Sequence, residues 1–427
     1  MLTHLIYIGT LSTAIRLHIT TRLTIGGQLL QIGKLQKMVT LRALFAVALL
    51  LAIVSVAAGV QQHNPLIAAL AVQENAQIHS KMTHVSSLSS DHVVSVHAIT
   101  SALPGGGKLY VYKLPDGTVE RVPTPPANFR PATANAATLA EYDFPPRPAG
   151  GSKLATWERS MQAFKSDAPP PAAITITAQG GIRSNDVCGT DSGYACNWGG
   201  YYMDAPSGYS YEAADEVNTA PNVTNNGTCL ESGIVPRASI WVGLGGVGTD
   251  LVQQGIEWCN GPTLPIQPRW YPFEEFVPGE HVAFCGYSTW YMPEGDVVNN
   301  ALRFGASNNP PLAVFWMENN TTGVAHSCDV NVQSSWNFTF DGSTADFITE
   351  EQVNDGSDGL AKYADFTTQN DSAETSLAGG TWYSLASQTH SRLITGCPTS
   401  YTQVPQAIGS DQESFIMKWN AYRYSCS

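Results

Sequence analysis

The sequence predicts an all-β protein, an antiparallel β-sandwich led by a mixed and partly extended N-terminal segment. Three observations carry this. From about Asn185 onward, short apolar-alternating runs recur between clusters of Gly, Pro, Asn and Asp, the pattern of strands and turns. Charged residues make up only 13% of the chain, against 38 Gly and 26 Pro, which suits β structure better than helix. All eight cysteines (Cys188, Cys196, Cys229, Cys259, Cys285, Cys328, Cys397 and Cys426) fall in that same part without a CxxC pair. This reads as disulfides in an oxidising compartment, not as a metal cage, so no metal is expected.

Taken in order, residues 1–58 read as an upstream extension plus a secretory leader. Met38 is the expected start, Arg42 the positive flank, residues 43–54 the apolar run and Val56-Ala57-Ala58 the small-residue exit. The run is short for a membrane span, and no stable membrane association is expected. Residues 59–185 have the character of a propeptide. Residues 108–112 and 118–122, joined through Pro115-Asp116-Gly117, predict a hairpin. The Pro-rich stretches 123–131, 145–148 and 169–171 read as extended linker. Residues 154–165 predict a short amphipathic packing helix.

Residues 186–427 form the expected main domain, with strands at 238–242, 281–285, 313–317, 336–340, 346–349 and 415–419. Cys188 and Cys196 are close enough in sequence to close a short loop. Six Asn-x-Ser/Thr sequons begin at Asn222, Asn226, Asn319, Asn320, Asn337 and Asn370, again beside the cysteines, which favours the secretory route. His281, His326 and His390 lack ligand spacing and read as surface or turn residues.

Charge divides the chain as well. Residues 1–187 hold 15 Lys+Arg against 9 Asp+Glu, and residues 188–427 hold 7 against 26. A basic front and an acidic back attract each other. The expectation is that the front segment covers the domain near neutral pH and is released as carboxylates protonate; separately solvated surfaces are the simpler alternative. An acidic domain excludes nucleic acid as a partner, since that needs a basic face.

Two segments carry candidate chemistry. Trp241-Val242-Gly243-Leu244 is followed, after a Gly-rich turn, by Leu251-Val252-Gln253-Gln254-Gly255-Ile256-Glu257-Trp258. The second is Ala345-Asp346-Phe347-Ile348-Thr349-Glu350, in which Asp346, Ile348 and Glu350 share one strand face. On its own, such a glutamine is usually a surface or satisfied polar group, and such a carboxylate pair a solvated face. Gly243-x-Gly245-x-x-Gly248 matches a dinucleotide fingerprint literally but lacks the following helix. Asp191-Ser192-Gly193 is half an aspartic-protease signature without a partner copy, and no HExxH or GxSxG occurs.

Together the two segments resemble the glutamine and glutamate motifs of the eqolisins, the glutamic peptidases. Three further blocks follow the family order: Asn197-Trp198-Gly199-Gly200, Glu318-Asn319-Asn320-Thr321-Thr322-Gly323 and Ala364-Asp365-Phe366. The resemblance spans about Cys196 to Phe366. It implies a concanavalin- or jelly-roll-like sandwich, secreted as a monomeric zymogen that acts on protein and peptide substrates without a cofactor, its own propeptide serving as inhibitor. It implies catalytic roles for Gln253 and Glu350 and substrate-cleft roles for Trp241, Trp270, Glu275 and Asp346. The block Trp270-Tyr271-Pro272-Phe273-Glu274-Glu275-Phe276-Val277-Pro278 can be aligned two ways, and Gly245-Gly246-Val247-Gly248 replaces the family's acidic residues.

The implied mechanism has Glu350, near an ordinary carboxyl pKa of about 4.3, as general base on a water and then as acid to the leaving amine. The Gln253 amide donates to the oxyanion. Two other classes compete. A glycoside hydrolase would pair Glu350 with Asp346 or Glu275. A non-catalytic carbohydrate binder would stack sugars on exposed Trp270, Tyr271, Trp290 and Tyr291.

Overall fold

The structure is a computed structural model. It describes three strands within residues 3–31, and residues 93–421 apart from 115–116, 166–169, 171–172, 178–192, 196, 225–237, 248, 259–267, 278–280, 284–289, 307, 309, 337, 352–358 and 376–379. The leader expected at 38–59 and the Cys188–Cys196 loop lie outside the described residues. Two compact units emerge, Met1–Met82 and Thr83–Ser427. In the first, Thr3–Leu11, Ala14–Ile25 and Gln28–Gln31 form an antiparallel meander, with Leu11 opposite Ala14 and Ile25 opposite Gln28.

The second unit is the predicted all-β sandwich. Its N-terminal part supplies β1 (Ile99–Ala102), β2 (Lys108–Lys113), β3 (Val119–Thr124), α1 (Ala136–Glu141) and α2 (Gly151–Ala163). The expected hairpin is β2–β3, with Lys113 opposite Val119 and Gly117 at φ +96° supplying the left-handed turn residue. Asn135 caps α1 by accepting the Thr138 amide N–H. α2 overlaps the predicted helix but starts three residues earlier, at Gly151.

The main body follows as β4 (Trp198–Asp204), β5 (Ala213–Thr219), β6 (Ser239–Gly245), β7 (Leu251–Trp258), β8 (Trp270–Val277) and β9 (Val297–Gly305). Then come β10 (Leu312–Asn319), β11 (Val324–Asn331), β12 (Thr344–Glu350), β13 (Phe366–Glu374), β14 (His390–Cys397), β15 (Ser400–Pro405) and β16 (Phe415–Trp419).

Sheet one runs β8-β7-β6-β12-β4-β14. Sheet two runs β1-β2-β3-β11-β10-β9-β5-β13-β16-β15. β14 belongs to both, pairing with β4 through residues 390–393 and with β15 through residues 395–397. Strand alternation sends one set of side chains between the sheets. Tyr201, Val242, Val252, Phe276 and Phe347 of sheet one pack there with Leu302, Phe315, Met317 and Ala373 of sheet two.

Several expectations are corrected here. Residues 336–340 are not a strand: Trp336 ends a 3-10 turn and residues 338–340 pair with nothing in a ladder. Their alternation arises from burial alone, because Trp336 and Phe338 pack on Phe276 while Phe340 packs on Phe304, stopping one end of the core. His326 is not a surface residue. It is 2% exposed, and its ring meets Trp290 edge-on at 4.2 Å. Cys328 and Cys397, the two cysteines among the described residues, are not free thiols. The sequons also differ in access. Asn222 is exposed, whereas Asn319 is buried with its amide donating to Asp296, so it offers no glycan acceptor in the folded state.

The Pro-rich stretches 123–131 and 145–148 are packed against the domain and are not extended linker; the stretch at 169–171 lies largely outside the described residues. β3 extends sheet two, with Arg121 opposite Asp329 on β11. Phe129, Tyr142, Phe144, Trp157 and Phe164 build a second core around Ala301, Trp316 and Ala325. Ala301 and Trp316 alternate along their strands with core-facing Leu302 and Phe315, so this second core covers the outer face of sheet two. Pro145 takes part by accepting the Trp157 indole N–H at 2.9 Å. Trp157→Ala is expected to cost about 3–5 kcal/mol, the usual loss for a buried aromatic. Denaturant unfolding would check it, and a cost under about 1 kcal/mol would show that this layer is not a core.

Candidate active site

The outer face of sheet one is ordered by strand register. In one row Glu275, Gln253, Gly243, Asp346 and Tyr202 stand opposite one another across β8, β7, β6, β12 and β4. Two residues further along comes Phe273, Gly255, Trp241, Ile348 and Gly200. The third row is Tyr271, Glu257, Ser239, Glu350 and Trp198. Gln253 and Glu350 therefore lie diagonally across β6, with Trp241 between them. Gln254, the neighbouring amide, faces inward and donates to the Trp316 carbonyl at 2.9 Å.

Glu350 is held at both oxygens. The Asn197 amide donates to Oε1 at 2.8 Å and the Trp241 indole N–H to Oε2 at 2.9 Å. Its carboxyl is nonetheless pushed up to about 8. Burial is the main cause, the charge of Glu275 adds to it, the Trp241 N–H opposes it, and Glu257 adds a smaller push. The expectation of an ordinary carboxyl at Glu350 is thus overturned: at acid pH it carries its proton. Gln253 donates through Nε2 to Glu275 Oε2 at 2.5 Å. Its Oε1 is buried and accepts no hydrogen bond among the described residues.

The site's closeness depends on Gly255. A Cβ there would lie 2.0 Å from the Ile240 carbonyl oxygen and 2.6 Å from the Trp241 Cβ. Only glycine leaves room for Trp241 to cross the row beside it. Trp198 packs edge-on against Trp241, with ring centroids 5.0 Å apart, and walls the other side.

The structure brings Gln253, Glu350, Trp241, Glu275 and Asp346 to one face. Asp346 sits one row from Trp241 on the Gln253 side, and burial holds its carboxyl well above the usual range. Trp270 is not on that face. It belongs to the core between the sheets, where it is fully buried beside Trp258 and donates its indole N–H to the Pro221 carbonyl. The period of two along β8 puts Glu275 outward and Trp270 inward, so one alignment cannot give both a place in the cleft. The stacking platform of a carbohydrate binder is also absent among these residues, since Trp270 and Tyr271 are buried and Trp290 and Tyr291 are half-buried.

Asn197 was not assigned a role from the sequence, although its block was recognised. Its signal is only tertiary: Trp198 pairs with Glu350, which sets the Asn197 amide at the end of the glutamate strand. The glycine fingerprint at 243–248 falls where β6 turns back into antiparallel β7, not into a helix. Trp241→Phe removes a donor to the Glu350 carboxylate, so the Glu350 pKa is expected to rise further. The check is the basic limb of a pH–rate profile, which should move up relative to wild type; a downward move would contradict the bond.

A buried carboxyl beside an amide on one face of a β-sandwich is an arrangement able to activate water for hydrolysis. Residues 196–404, which contain both groups, match the model of the Peptidase A4 family. That match supports the eqolisin family and a peptidase hydrolase. No curated protein matches the chain.

Proposed function

We propose that this protein is a secreted acid endopeptidase of the glutamic type, made as a zymogen with disulfides and glycans. It cleaves peptide bonds with Gln253 and Glu350 and needs no cofactor. The observation that carries this reading is the shared outer face of sheet one, where Glu350 is fixed by two N–H donors diagonally across from the Gln253 amide.

The raised Glu350 value sets the order of proton steps. Protonated Glu350 first donates to the scissile carbonyl oxygen while water bonds to the carbonyl carbon. The carboxylate so formed takes a proton from that water, leaving a neutral gem-diol and the acid restored. Gln253 Nε2 donates to the same carbonyl oxygen, stabilising the partial negative charge it carries in the transition state before the Glu350 proton is fully transferred. In the second step Glu350 gives its proton to the leaving nitrogen as the C–N bond breaks, and takes one back from a gem-diol hydroxyl. The products are a carboxylic acid and an amine, and Glu350 ends as it began. This reverses the base-first order expected from an ordinary carboxyl.

The pH dependence follows with a definite sign. A raised carboxyl keeps its proton through the acid range, so activity persists at low pH and falls as pH rises through about 8. Cleavage of a denatured protein, measured from acid to alkaline pH, tests both the activity and this limb. A folded wild-type protein that cuts no protein substrate at any pH would end the peptidase reading. Inhibition by the front segment, implied by the family resemblance, gains no support from residues 99–165, whose docking is on sheet two.

A further inference from the structure

We infer that residues 93–165 are a lasting second piece of the folded protein, staying bound to the outer face of sheet two after the chain between them and the main domain is cut. The inference goes beyond the proposed activity; docking geometry carries it, and the charge of one contact supports it.

Four contacts argue for permanence over release. The first is backbone pairing: β3 is a strand of sheet two, and Tyr112 and Val122 of the hairpin are fully buried in the main core. Removing it would expose the β11 edge, a liability that proteins avoid. The second is the apolar layer around Trp316, which would leave Ala301, Trp316 and Ala325 facing water. The third is electrostatic. Lys153 of α2 is buried, 3.6 Å from Asp215, and donates to the Asn370 carbonyl at 3.0 Å, with its ammonium over the Trp382 ring at 4.5 Å. It is also faced by Asp371, Glu413 and Arg303. Withdrawing this cation would leave buried acids with one charge fewer to balance them, which is strongly unfavourable.

The fourth contact bears on acid. Asp143 of the segment lies half-buried near Asp329 of β11, one oxygen of each closed off from solvent, with Arg121 facing both. Loss of solvent raises both carboxyls above the usual range, the charge of Asp329 pushes Asp143 further, and Arg121 opposes both only in part. A carboxyl raised on docking favours the docked state at low pH and weakens it as pH rises past the ordinary value. Acid therefore tightens this contact, the reverse of release on acidification. Nothing steric demands release either, because the described docking lies on sheet two and Glu350 on the outer face of sheet one.

The experiment inserts a site-specific protease recognition sequence between residues 178 and 185 of the full chain. The folded protein is purified, cut, and passed through size exclusion and native mass spectrometry at pH 4 and pH 7 without denaturant. The expected result is co-elution of both pieces at each pH. Separate elution of the front piece at either pH overturns the inference. Phe144→Asp, cut in the same way, should free the front piece; co-elution of that variant would overturn the assigned interface. Association is the readout, so a protein without peptidase activity would still give a decision.

Discussion

Replacing Glu350 by Gln is expected to lower kcat on a protein substrate by about 10²- to 10⁴-fold, the usual contribution of a positioned acid–base group. Gln has the same shape but no transferable proton. The fold should survive the change, because Glu350 is already neutral at acid pH and its oxygens accept from Asn197 and Trp241. A Gln carbonyl oxygen keeps one of those acceptors. Its amide nitrogen does not, so a modest stability loss of about 1 kcal/mol is expected from one mismatched donor. Circular dichroism and thermal unfolding would separate this from loss of activity. A folded Glu350→Gln protein that cuts like wild type would remove Glu350 from the mechanism.

Replacing Gln253 by Ala is expected to lower kcat by about 10²- to 10³-fold, the measured scale for losing one oxyanion donor. KM should change less, since the amide acts on charge that develops only in the transition state. The same variant separates two chemistries. A glycosidase built on Glu350 and Glu275 would need no amide donor at an oxyanion, so sugar release lost in Glu350→Gln but intact in Gln253→Ala would favour the carbohydrate reading. Gln253 also hydrogen-bonds Glu275, whose charge helps raise Glu350. The basic limb of residual activity in Gln253→Ala should therefore shift from the wild-type position, whereas a purely structural role would leave it in place.

Much of this was legible in the chain itself. Alternation around Asp346, Ile348 and Glu350 was enough to place both carboxyls on one strand face, because the period of two is a property of the backbone. The Pro115-Asp116-Gly117 hairpin and the helix near Leu154 were legible for the same local reason: turn chemistry and amphipathic spacing act over a few residues. The run at 336–340 misled because burial alone produced strand-like alternation at the end of the sandwich.

The sequence by itself determined the β-rich class and the strands that carry Gln253 and Glu350, consequences of local periodicity, while the choice of Gln253 over Gln254 came from the family resemblance. Tertiary structure decided the rest. Register across β6 set Gln253 and Glu350 diagonally about Trp241, brought Asn197 to the Glu350 carboxyl, and turned Trp270 into the core. Burial beside Glu275 and Glu257 then moved Glu350 from an ordinary carboxyl to a proton-holding acid. Closure of the fold also made β1–β3 strands of sheet two and packed the aromatic layer of residues 129–164 on its outer face. A pKa and a docking face depend on which distant residues share a low-dielectric neighbourhood, and that is fixed only when the sheets close.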